Sequence, residues 1–511
     1  MEALLSKFSN DPDARAPPNS PHHLDCFLAA NYLQIRLGEF RSQRIHLSNP
    51  ALYTGEAIFG IVSLFLCDFA PIEERAKSAA SRLEAIPPFL EQAKANLRTA
   101  PTEWTRRAIR ECVGAKHLLQ GGLTMIMRSY QLTSPSMQHA ADKARIAFLE
   151  FQEWLSEYLL PHSNSNHGCG KSFLDLLIQK GHCQDLAAEQ VAAFGARILA
   201  ERQERLHQEA FNFREDGDWQ KVLESLGDFH PLQPNYLSSF QRYWQECVDT
   251  ATENGFLTWP NCQIHYRFLP DYFVDAEPYL YWFLPYRSPP AFGQFTSYDY
   301  FVPPIDATMP QPEREKLLRA MNFSVIKLNH ALHHGSIGHH LQNYYAYRAP
   351  SRIGQVAAVD CASRLAMLCA GTMAEGWACY CGELMTETSF CTPLDKYSEL
   401  HSSVRFAARA VVDSSLHTGT MTIEDAIRFY MTEAGMSADA AHTEAVNNSM
   451  FPGTACEYLL GTNVIHALRN RLAKQEGNFN LRDFHGHFLS YGSIPVSLIA
   501  QDMLNSPLSL P

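Results

Sequence analysis

Five histidines fall within eleven residues: His330, His333, His334, His339 and His340, in the string NHALHHGSIGHHLQ. The chain has 22 histidines in 511 residues, so its average composition would put fewer than one in such a window. Neutral imidazole is the commonest metal-binding side chain. A dense cluster inside an apolar, helix-patterned stretch therefore points to a metal site; the plainer alternative is a set of core or solvent-facing histidines. A second stretch, TMAEGWACYCGELMTE, supplies a carboxylate, Glu375, at the opening of a helix that carries Trp377 and Tyr380. Two imidazoles and one carboxylate with an open fourth position form the ligand set of a catalytic zinc site. A divalent cation held there acts as a Lewis acid on a carbonyl or carboxylate.

The helix that carries the cluster must aim it. Helical periodicity resumes near Glu313 and runs to about Tyr347. At 100° per residue, His330 and His334 share a face, and so do His333 and His340, whereas His333 and His339 point apart. Gly338 lies between the last pair, and a bulge or break there would re-aim His339. Spacing alone leaves the ligand pair open, including whether His330 or His340 joins it.

The surrounding elements read as mainly α. Residues 1–22 form a loose arm rich in Pro, Ser, Asp and His. Residues 23–255 form an N-terminal helical region. Residues 256–511 hold an aromatic segment with β character and then the helical metal-site region, with one continuous cleft between the two halves. In IEERAKSAASRLEAI (72–86), Ile72, Ala76, Ala79, Ala80, Leu83 and Ile86 make one stripe, and Pro87-Pro88 is expected to end that helix. Through the proline density between Leu257 and Pro304 a helix cannot persist, and short strands and loops are expected, in a small sheet with most of the chain's strand. Its aromatics, Tyr281 and Tyr286 among them, are candidates to line a substrate wall, the equal alternative being a packed β-layer. Thr422–Asp425 reads as a capping box and Gly435 as the stop of the helix between them.

Composition excludes several classes. The formal charge of −12 argues against nucleic acid or anionic membrane as the main partner. No apolar run reaches 18 residues, so no membrane span is expected. The first residues lack an apolar signal core, and 13 cysteines without a CxxC pair read as reduced thiols, so a cytoplasmic location is expected.

HHGSIGHHLQ and AEGWACY resemble the two signature stretches of the domain of unknown function 885. These are helical proteins related to zinc metallopeptidases, with H-E-x-x-P-G-H-x-x-Q followed by E-G-W-A-x-Y. ALYTGEAIFG (51–60), APIEERAKSAASRLEAIPPFL (70–90), RAVVDSSLHTG (409–419), FPGTACEYLLG (451–461) and FHGHFLSYGSIPVSLI (484–499) follow in the family's order. The resemblance implies a peptidase-like multi-helical architecture with a deep cleft. It also implies a metal held by His333, His339 and Glu375, with Zn2+ or another divalent transition metal as cofactor. Tyr458, His417, Arg409 and Asp413 keep the family's residue types.

The departures are chemical. His334 stands where the family carries the glutamate base, and Ile337 replaces its proline. A second glutamate falls on Gly382. An arginine and a tyrosine fall on Asn447 and Asn448, a glutamine on Thr454 and a lysine on Leu459. A positioned general base contributes roughly 10²–10⁴-fold, so losing the carboxylate argues against ordinary peptide hydrolysis. The resulting expectation is a metal-dependent enzyme recruited to a small-molecule lyase, isomerase, cyclisation or unusual hydrolysis reaction. His334 would be base, acid or extra ligand, Tyr458 and His417 would be donors to an oxyanion, and Arg409, Asn447 and Asn448 would contact substrate. The alternatives are a metallo-hydrolase of short peptides or amino-acid conjugates, and a catalytically inactive binding scaffold.

Overall fold

Apolar residues recurring every three to four positions build helices through most of the chain, and a computed structural model shows how they assemble. It describes residues 1–10, 20–280, 297–356, 368, 370–475 and 477–508. The first half contains α1 (Pro21–Arg41), α2 (Pro50–Val62), α3 (Ile72–Asn96), α4 (Thr102–His117), α5 (Pro135–Trp154), α6 (Ala188–Ala210) and α7 (Tyr236–Glu253). The arm expected over residues 1–22 contains a helix, Glu2–Asn10, whose Glu2 pairs with Arg41 at 2.8 Å.

The expected stop at Pro87-Pro88 does not occur. α3 continues through both prolines to Asn96. An interior proline removes a helical hydrogen bond and costs about 3 kcal/mol. Here the apolar stripe continues past the pair. Leu83, Ile86, Leu90 and Ala93 are all buried in one core with Ala140, Ala144 and Phe148 of α5, and that packing outweighs the local penalty.

Two parallel strands, β1 (Gln263–Phe268) and β2 (Ser297–Val302), pair with Tyr266 opposite Tyr300. Both lie inside the proline-rich window, which also holds a short helix, Asp271–Val274, and a single 3-10 turn, Glu277–Tyr279. Ile264, Tyr266, Tyr298 and Tyr300 turn inward and pack with Phe240 and Trp244 of α7. Tyr281 and Tyr286 lie outside the described residues.

The long helix expected from Glu313 to Tyr347 is divided instead. One helix spans Gln311–Ala320, and Asn322 caps a new start by accepting from the Val325 N–H at 3.0 Å. A π-helical stretch covers Ile326–His334, residues 335–338 break the helix, and α8 covers His339–Ala346. Then come α9 (Gly371–Met385), α10 (Pro393–Thr418), α11 (Ile423–Glu433), α12 (Ala438–Met450), α13 (Glu457–Gln475) and α14 (Leu481–Ser490). α11 begins at the Thr422–Asp425 capping box, and Gly435 follows it in the left-handed conformation (φ 59°) that favours glycine.

The largest apolar core joins α2–α6 to α10–α13, so it draws on both sides of position 255. The histidine segment is wedged between two smaller cores. Leu328, Leu332, Ile337 and Leu341 face Trp377, Tyr380 and Phe488, while Ile326 and Ala331 face the aromatic layer of α7 and the strands. Among the described residues no helix is long and apolar enough to cross a membrane.

Candidate metal centre

The break at residues 335–338 settles which histidines meet. A Cβ on Gly338 would lie 2.0 Å from the His333 carbonyl oxygen, so only glycine lets the chain fold back that closely. Gly335 is similarly confined, by the Tyr266 hydroxyl and the His330 carbonyl. Two indoles tether the loop. Trp244 of α7 donates to the Gly335 carbonyl, and Trp377 of α9 donates to the Ile337 carbonyl at 2.8 Å. Ser336 adds a contact to the Cys247 sulfur at 3.0 Å.

With the chain so turned, the rings of His333 and His339 lie 4.7 Å apart and His334 lies 4.8 and 5.3 Å from them. One ring nitrogen from each of the three can be chosen so that all lie within 4.8 Å of one another. Nε2 of His333 and Nε2 of His339 face the same Glu375 oxygen, at 3.4 and 3.6 Å. That oxygen is buried and accepts no well-formed hydrogen bond. Burial works against the Glu375 charge, but His339, His333 and Arg409 outweigh it and hold the carboxyl at about 2. Burial, reinforced by the neighbouring histidines, holds His334 well below the usual imidazole range.

The other two histidines belong to the core. His330 is buried, its Nδ1 lies 2.6 Å from the Tyr300 hydroxyl, and burial lowers it to about 4. His340 packs edge-on against Tyr298 at 4.8 Å, and burial lowers it to about 3.

Glu375 is aimed by a close helix crossing. A Cβ on Gly376 would lie 2.5 Å from the Gly461 Cα, and one on Gly461 would lie 2.2 Å from the Thr372 carbonyl. α9 and α13 therefore meet backbone to backbone, one residue from Glu375 and three from Tyr458. Tyr458 stacks on Phe406 at 5.0 Å, and the Arg409 guanidinium lies against a ring face, 4.5 Å from the Tyr458 centroid. Burial first, then the Glu375 charge, pushes the Tyr458 phenol well above its usual range, so it stays a proton donor. Arg409 is itself clamped by Glu444 through two bonds of 2.7 and 2.8 Å. Tyr458, Cys379, Glu383, Glu399, Ser403 and Asn463 line a narrow crevice of ≈ 10 Å³ along α9, room for about one water molecule, one to two turns beyond Glu375.

Other expected site residues have structural partners. His417 is fully buried, with Nε2 2.9 Å from the Asn448 carbonyl oxygen and 3.7 Å from Asp413. Asn448 donates to the Tyr430 hydroxyl, and Asn447 accepts from Arg107 at 2.5 Å. Asp413 accepts from the Gly453 and Cys456 N–H groups at 2.9 and 3.1 Å. Together these hold the turn from which α13 presents Tyr458. The space at Gly382 is filled as well: a Cβ there would lie 2.4 Å from a Glu399 oxygen. Sequence reasoning missed Trp244, Glu399 and the Asn329 carbonyl, which lies 2.7 Å from His334 Nδ1. No local pattern announces them, because each acts across the fold or through the backbone.

Two outcomes follow from this geometry. Gly338→Ala must push backbone against backbone, so urea denaturation should show a loss of about 1–3 kcal/mol; an unchanged stability in this variant would show that the close turn is not needed. Burial, then the nearby Glu383, raises the Glu399 carboxyl to about 8 against 4.5. The folded state thus keeps a proton that the unfolded state has lost, and the associated stability is lost as pH rises from 4.5 through about 8. Glu399→Gln should gain stability relative to the parent across that window and level off above it, measured as denaturation midpoints against pH.

The chain is similar over most of its length to two solved structures. A candidate lipoprotein of unknown function from Shewanella oneidensis has a solved structure that matches with a TM-score of 0.74 at 21% identity, over 98% of this chain and 91% of that one. A candidate lipoprotein from Colwellia psychrerythraea matches with a TM-score of 0.68 at 18% identity, over 85% of this chain and 76% of that one. At these identities the likeness shows a shared fold. No curated protein matches the chain. The family model of bacterial proteins of unknown function designated DUF885 spans residues 3–503, and the chain belongs to that family.

Proposed function

We propose that the protein is a divalent-metal-dependent enzyme acting on a small molecule that carries a carbonyl or carboxylate. The observation that supports this most directly is the convergence of His333 and His339 on one buried oxygen of Glu375, at 3.4 and 3.6 Å. Imidazole and carboxylate donors suit zinc and other divalent transition ions, and an anionic oxygen buried between two imidazoles is the arrangement a cation stabilises. A bound ion supplies a Lewis acid for polarising the substrate.

The chain's own groups do the rest. The Tyr458 phenol keeps its proton and can donate to an oxygen that gains charge in the transition state. Arg409, fixed by Glu444, adds positive potential beneath that ring. Peptide hydrolysis also needs a group that takes a proton from water and passes it to the leaving amine. Position 334 carries an imidazole there instead of a carboxylate, and Asn447 and Asn448 are engaged with Arg107 and Tyr430. These features favour lyase, isomerase, cyclisation or unusual hydrolytic chemistry.

Elemental analysis of the purified protein, paired with mass spectrometry of a metabolite extract incubated with native and chelator-treated samples, tests this reading. The expected result is near one metal per chain and a small molecule consumed only by the metal-loaded protein. That turnover should fall more than about 100-fold in His339→Ala, since even outer-shell partners of metal ligands cost about 10–100-fold. Failure to take up zinc, iron or manganese on reconstitution would contradict the reading. Metal-dependent cleavage of simple dipeptides would favour the hydrolase alternative.

A further inference from the structure

We propose that His334 is a fourth protein ligand, so that the centre is a three-imidazole, one-carboxylate site rather than a two-imidazole site with a base beside it. This rests on the metal-centre reading above and specifies its coordination. Ring nitrogens of His333, His334 and His339 lie within 4.8 Å of one another. Three atoms spaced evenly at about 2.1 Å around one ion are about 3.6 Å apart, so separations of up to 4.8 Å close with shifts of under an ångström per atom.

The backbone selects the ring's protonation. A carbonyl oxygen only accepts, so with Nδ1 2.7 Å from the Asn329 carbonyl, Nδ1 carries the proton and Nε2 carries the lone pair. An N–H bonded to a backbone carbonyl is the outer-shell arrangement that orients metal-bound histidines and raises their basicity. The π-helical stretch creates this contact. Its wider turn brings residue 334 over residue 329, five positions back. A proton-transfer base has no need for three imidazoles gathered within 4.8 Å of one another, whereas a cation gives such a cluster a reason to assemble.

The consequence concerns metal and substrate together. Four protein ligands saturate a tetrahedral zinc ion, and catalytic zinc sites keep a position open. The site therefore suits an ion that accepts five or six ligands, leaving one or two positions for substrate oxygens. An imidazole-rich set accommodates iron, nickel and copper, as well as zinc.

Copper(II) titrated to one equivalent into the full-length protein provides the count directly. Electron paramagnetic resonance should show coupling to three imidazole nitrogens in the parent and two in His334→Ala, and copper affinity should fall more than about 100-fold in the variant. Two nitrogens in the parent, or an unchanged spectrum and affinity in a folded variant, would overturn the proposal while leaving a two-histidine centre intact. A parent that binds no copper, or a spectrum indifferent to His339→Ala, would remove the metal-centre reading itself. The parent spectrum decides the question even if His334→Ala fails to fold.

Discussion

The site depends on one backbone event, the break between His334 and His339. A continuous helix would send those rings to different faces. Gly338 permits the close return that a side chain would block, and it does so without a left-handed backbone: its φ is −76°. Two buried tryptophans then hold the loop from opposite sides, Trp244 from α7 and Trp377 from α9. A buried carbonyl left without a donor costs about 1–3 kcal/mol, so the indoles make an otherwise unfavourable break tolerable. Trp377 also sits two residues after Glu375, so the same side chain couples the loop to the helix that supplies the carboxylate.

Buried charges, one of them an ion pair and the others bonded to backbone, pack the region around Tyr458 and the start of α13. Arg409 and Glu444 form a bidentate contact beneath Tyr458, and the Asp413 carboxyl holds the turn before α13 by accepting two backbone N–H groups. Arg44 fills the same layer, bonding the His167 carbonyl at 2.9 Å and lying 4.6 Å over Trp104. Buried ion pairs contribute little net stability once desolvation is counted. Their effect here is positional, since they fix the ring of Tyr458 and the direction of α13 against the Gly376–Gly461 crossing.

Local rules were legible wherever a local rule decides. The capping box at Thr422–Asp425, the stop at Gly435 and the strands inside the proline-rich window all follow from short-range sterics and hydrogen bonding. Pro87-Pro88 defeated the local rule because burial of Leu83, Ile86, Leu90 and Ala93 carries α3 through. Periodicity left His339 and His340 undecided, since the answer lies in a loop geometry set by Trp244, more than ninety residues upstream. His417, Asn447 and Asn448 carried plausible chemistry in sequence, yet His417 Nε2 faces the Asn448 carbonyl and the two asparagine side chains bond Arg107 and Tyr430. The Asn329 carbonyl could not be read at all, because a backbone oxygen has no residue type and the π-helical turn that exposes it leaves no compositional trace.

The central claim is that His333, His334, His339 and Glu375 surround one divalent ion. The most direct measurement is anomalous X-ray diffraction from crystals grown with nickel(II), with data collected on both sides of the nickel absorption edge. The account predicts one strong edge-dependent peak within about 2.0–2.3 Å of nitrogen from all three histidines and of a Glu375 oxygen. A map with no peak between these side chains, or with its strongest peak on other residues, would contradict it.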